Sequence, residues 1–89
     1  MSGRAAIDAF SDYLEEEVIR QKEKHGEQPD LSDIEAHLIA SEEFGEYSRA
    51  MNEVFYRARE RDEMEAEMVQ AAACLFRHWV RSRAREDAR

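Results

Sequence analysis

Apolar residues recur at three- and four-residue spacings along most of the 89-residue chain. Ile7, Phe10, Leu14 and Val18 form the first stripe, which predicts an amphipathic helix over about residues 4–25. Gly26 follows as a helix stop, and "GEQPD" reads as the clearest loop. In "LSDIE", Ser32 and Glu35 have the spacing of a capping box, in which each side chain satisfies a backbone N–H near the other. The helix it opens, over about residues 32–41, carries Ile34, Leu38 and Ile39. It ends near Ser41 or runs on through a bend near Gly45.

Phe44, Tyr47, Met51, Val54, Phe55 and Ala58 predict a third helix over about residues 44–60. Met64, Met68, Ala71, Ala72, Leu75, Phe76, Trp79 and Val80 predict a fourth over about residues 62–86. No Gly or Pro divides these two. Their stripes nevertheless point about 110° apart at 100° per residue. Asp62, with Glu65 three residues on, also offers a cap. The pattern therefore predicts a break near residues 60–62.

With three Gly and one Pro, the chain lacks the punctuation that many strands and hairpins require. The expected class is all-α: one domain, a small bundle of three to four helices. A chain this short buries only about 60–65% of the surface its unfolded form exposes, so its core is thin. Val69, Phe76 and Val80 widen the apolar side of the last helix to nearly half its circumference. Leaving Leu75, Phe76 and Trp79 in water forgoes about 1.5–3 kcal/mol each. Completion of the bundle by a homodimer is the expected remedy. Leu75, Phe76, Trp79 and Val80 are the expected partner or dimer interface.

Composition narrows the setting. Hydrophobic residues make up 43% and charged residues 38%, too apolar for a disordered chain. The single cysteine forms no internal disulfide and fits a reducing compartment. The N-terminus turns acidic before an apolar signal region develops. The longest apolar run, "AAACLF", falls far short of the roughly twenty residues that span a bilayer. A soluble cytoplasmic protein, not a membrane one, is the expectation.

The signatures of common enzyme chemistry are missing. Gly3, Gly26 and Gly45 are isolated, so there is no phosphate-binding glycine loop. There is no G-x-S-x-G, H-E-x-x-H, C-x-x-C or Glu-x-x-His. No catalytic residue, cofactor or metal ligand set is expected. Cys74 and His78, at i,i+4, are the nearest approach to a thiol or metal site. Positive neighbours such as Arg77 lower a thiol pKa, but no base, orienting group or pocket accompanies Cys74 in the sequence.

Charge is uneven within the net −8. Residues 1–76 hold eight Lys/Arg against nineteen Asp/Glu, or −11, and residues 77–89 hold five Arg against two acids, or +3. Arg77, Arg81 and Arg85, continued by Arg89, form a basic ridge at i+4 spacing. Acids at the start of that helix and arginines at its end also suit the helix macrodipole. Direct nucleic-acid binding is not expected, since the remaining −11 repels phosphate. On the first helix, Asp8, Asp12, Glu15, Glu16 and Glu23 surround Ile19 as an acidic surface for a partner, with Glu16 and Arg20 spaced to pair. The expected function is a small acidic interaction module, a regulator, inhibitor or adaptor. The alternative is an acidic nucleic-acid mimic that blocks a basic nucleic-acid-binding protein, nuclease or defence complex, as phage-type inhibitors do.

Overall fold

A computed structural model describes residues 1–57 and 60–88. It holds three helices: α1 (Gly3–His25), α2 (Asp33–Arg57) and α3 (Arg61–Asp87). Ala58 and Arg89, assigned above to a helix and to the basic ridge, lie outside the described residues. Among those described there is no strand, and no helix is long and apolar enough to cross a membrane.

Local rules set most helix ends. Ser2 caps α1, its hydroxyl accepting from the Ala5 N–H at 3.1 Å. Gly26 ends α1 by donating its N–H to the Lys22 carbonyl at 2.8 Å. Its φ of 78° and ψ of −177° form a combination almost confined to glycine. The capping box forms as predicted: the Glu35 N–H donates to Ser32 Oγ at 3.1 Å, and the Ser32 N–H donates to Glu35 Oε1 at 3.3 Å. Those bonds hold the Glu35 carboxyl below its ordinary pKa.

Two boundaries differ from the predicted ones. α2 runs unbroken through residues 41–45, so the helices predicted over 32–41 and 44–60 are one. Gly45 stays helical with open space around it, and Ser41 bonds back to the His37 carbonyl at 2.9 Å. The break before α3 is present, but Glu60, without a side-chain bond, precedes the helix. Asp62 sits inside the first turn, where its charge favours the macrodipole rather than capping.

The helices do not close on one another. α3 is central, α1 and α2 each pack on it, and among the described residues the backbones of α1 and α2 do not approach each other. α2 is antiparallel to α3, so Asp33 reaches Arg85 and Glu43 reaches Glu67. α1 is parallel to α3: Gln21 Nε2 donates to the Gln70 carbonyl at 3.1 Å, and the Gly26 carbonyl lies beside Arg77. This register of about fifty residues leaves the first two turns of α1 projecting past Arg61. The molecule is correspondingly long and flat, 49 × 30 × 21 Å.

The seams are built from small and polar residues. Val18, Ala36, Ala50, Met64, Ala73 and Cys74 are the buried apolar set, joined by Gln21 and Arg77. On α2 the row Ala36, Ala40, Glu43, Tyr47, Ala50 and Val54 is shielded; on α3 it is Met64, Glu67, Ala71, Cys74, His78, Arg81 and Arg85. Both rows alternate steps of three and four, the spacing of a helix–helix seam.

Candidate functional site

Apart from Val18, Tyr47, Val54 and Met64, most of the large apolar side chains lie outside these seams. Leu75 (57% exposed), Phe76, Trp79 (60% exposed) and Val80 all face out of the chain's own core. At 100° per residue, Met68, Ala72, Leu75 and Trp79 fall on the side of α3 turned away from α1 and α2. Phe76 and Val80 border this face beside Val18 of α1, and the Phe76 and Trp79 rings lie 6.3 Å apart. Ile7 and Phe10 continue the Leu14–Val18 stripe onto the projecting end of α1 and are also exposed. Among the described residues, sixteen exposed large hydrophobic residues outnumber the six apolar ones in the core, which makes the isolated chain inside-out by the ordinary rule of burial.

The basic ridge has a different fate from the one its spacing predicts. Arg77 is buried and donates through Nη2 to the Gly26 carbonyl at 2.6 Å. Arg85 donates to the Leu31 carbonyl and, at 2.7 Å, to Asp33. His78 Nε2 lies 3.2 Å from the same Asp33 carboxylate, and the hydrogen bond to His78 first, then the Arg85 guanidinium, hold that carboxyl below its ordinary pKa. Only Arg81 of the three lacks such a bond. The ridge therefore clamps the α1–α2 loop to α3 instead of standing in solvent. The guanidinium presents several donors at once, which lets Arg85 bond the Leu31 carbonyl and the Asp33 carboxylate together.

Cys74 and His78 share no site. Cys74 is buried, and burial first, then Glu43, raises its thiol pKa against the pull of Arg81 and Arg77. The activation by neighbouring arginines suggested by the sequence is thus outweighed, and His78 is turned to Asp33.

Between α1 and α2, with α3 as floor, runs a polar cleft of about 360 Å3. Arg20, Lys24, Glu43, Glu46, Arg77 and Arg81 are among its lining residues. At its edge Glu43, Glu46 and Glu67 bring carboxylate oxygens within 4.8 Å of one another. Glu43 Oε2 and Glu67 Oε2 are buried without a hydrogen-bond partner, as is Arg81 Nε. Burial and mutual repulsion, burial first, raise the pKa of both Glu43 and Glu67. The same burial lowers that of Arg81. None of these glutamates stands out in a chain with twenty-one acids. They become a cluster only when α2 folds back along α3.

On α1, Asp8, Asp12, Glu15, Glu16, Ile19 and Glu23 are all exposed, as the acidic surface requires. Arg20 pairs with Glu17 at 2.7 Å, not with Glu16, which leaves the Glu16 charge to that surface. Comparison of the chain with protein families, curated proteins and solved structures finds no match.

Proposed function

We propose that this protein is an all-α interaction module that completes its fold as a homodimer and acts on another protein as a regulator, inhibitor or adaptor. The inside-out distribution of apolar residues carries this reading: alanines and arginines fill the seams while Leu75, Phe76 and Trp79 face water. Exposed aromatic and aliphatic groups of this kind mark protein contacts. With the α3 face taken by a second copy, the acidic side of α1 (Asp8, Asp12, Glu15, Glu16, Glu23 around Ile19) is left to meet the regulated protein. Its charge sets the rate and orientation of that encounter. Light scattering at micromolar concentration is expected to give twice the 10.4 kDa chain mass. Trp79→Glu is expected to weaken the dimer at least roughly thirtyfold with helicity retained, the effect of losing an interface hot spot. A monomeric wild type would refute the reading.

A second reading is favoured by the unpaired, buried Oε2 atoms of Glu43 and Glu67. Carboxylate oxygens on one divalent cation lie at about 2.0–2.6 Å from it, so oxygens within 4.8 Å of one another suit a shared ion. Arg20, Lys24 and Arg81 in the adjoining cleft suit an anionic group such as a phosphate, the usual companion of carboxylate-bound Mg2+. Without a cation the cluster opposes folding at neutral pH. A raised folded-state pKa contributes stability that is full below the ordinary glutamate value, near 4.3, and is lost as pH rises through the shifted value. Glu67→Gln is accordingly expected to raise the unfolding midpoint at pH 7.5 by a few degrees and to change nothing at pH 4. Millimolar Mg2+ or Mn2+ should stabilise the wild type and not the variant. Equal response of the two proteins would sink this reading.

A further inference from the structure

The free face of α3 is a palindrome in its chemistry. Glu65 opens it, Arg83 closes it, and Met68, Ala72, Leu75, Phe76 and Trp79 lie between. Glu65 and Arg83 are eighteen residues apart, five full turns, and so point the same way. Both are exposed. The midpoint of residues 65 and 83 is 74, that of 72 and 76 is again 74, and that of 68 and 79 lies half a residue away. We infer that α3 pairs antiparallel with α3 of a second copy about a two-fold axis at the level of Cys74. This rests on the homodimer reading above and gives it a face and a register.

The axis sets Glu65 beside the partner's Arg83 at both ends of the interface. It sets the Met68 thioether against the partner's Trp79, a favourable sulfur–aromatic contact. It sets Ala72 against the partner's Phe76, small against large, which lets the helices approach closely. An isologous interface needs this self-complementarity, since each residue i that meets j must also meet i as j. Among the described residues, Arg83 pairs with Asp87 at 3.8 Å in an exposed contact worth little. The area agrees. A folded monomer of 10.4 kDa exposes about 5,400 Å2; this chain exposes 6861 Å2, about 1,500 Å2 more. A standard interface removes about 800 Å2 from each partner and obligate homodimers remove more. A second copy supplies the cover that the chain lacks.

The test is a charge exchange read by sedimentation at low salt. Glu65→Arg alone and Arg83→Glu alone each place like charges at both ends, and each is expected to weaken the dimer about tenfold. Mixing the two variants places opposite charges at both ends and is expected to restore wild-type affinity as a heterodimer. The double variant Glu65→Arg/Arg83→Glu should likewise recover. High salt should narrow these differences. A dimeric wild type whose association ignores both single changes, or single variants that are not rescued by mixing, would overturn the register while sparing the homodimer. A monomeric wild type would overturn both.

Discussion

Arg77→Met is expected to lower the unfolding midpoint by about 8–16 °C, close to 2 kcal/mol, with Arg77→Ala nearer 3 kcal/mol. Arg77 is 7% exposed and gives a 2.6 Å charge-assisted bond to the Gly26 carbonyl. Methionine keeps the aliphatic stem and most of the volume but strands that carbonyl. Alanine adds the loss of packing along the stem. Gly26 is also where α1 ends, in a backbone conformation that few other residues adopt, so this bond fixes the direction in which the chain leaves α1. Thermal unfolding at fixed protein concentration measures the effect, the concentration being held because association moves the midpoint. A change below about 3 °C for the alanine variant would show that the loop is held by Arg85 and His78 without Arg77.

Features governed by adjacent residues were legible in the sequence. The Ser32–Glu35 box, the Gly26 stop and the break before α3 follow from rules that act over four or five positions, and the structure holds all three. Whether the second helix ends near Ser41 or runs on past Gly45 is left open by the sequence, and the structure shows the continuation, against the division into residues 32–41 and 44–60. An exposed Gly costs a helix only about 1 kcal/mol, and packing of Ala36 and Ala50 against α3 on either side offsets it.

The orientation of the stripes was the larger obstacle. Periodicity identifies the widest apolar face of a helix, and on α3 that face holds Met68, Leu75 and Trp79. The chain instead packs α3 on Met64, Glu67, Ala71, Cys74 and His78. When the widest apolar face serves a surface outside the chain, periodicity locates that surface and is silent about the internal seam. The glutamate cluster was illegible for a related reason. Glu43 and Glu67 are twenty-four residues apart, and only the antiparallel register of α2 on α3 brings them together. The arginine ridge shows the converse, a real i+4 pattern whose partners are backbone carbonyls that no side-chain pattern records.

Ala73→Leu is expected to destabilise the chain by about 2–3 kcal/mol, a fall of roughly 8–24 °C in the unfolding midpoint. Ala73 is 0% exposed. It lies one helical turn from Val69 and Gln70 on one side and from Phe76 and Arg77 on the other, residues that flank α1. Three added carbons there must push α1 off α3 or force neighbouring side chains out of their rotamers. They would also stretch the Gln21–Gln70 bond. Ala72, one position away, is the control. It faces away from both other helices, so Ala72→Leu leaves the internal seams untouched and should change chain stability by less than about 0.5 kcal/mol under conditions where the protein is monomeric. In the inferred antiparallel pairing, however, Ala72 meets the partner's Phe76, and the same leucine should weaken association. Ala73→Leu without a stability loss would mean that α1 does not pack on this row of α3. Ala72→Leu with an unchanged dimer would move the two-fold axis away from Cys74.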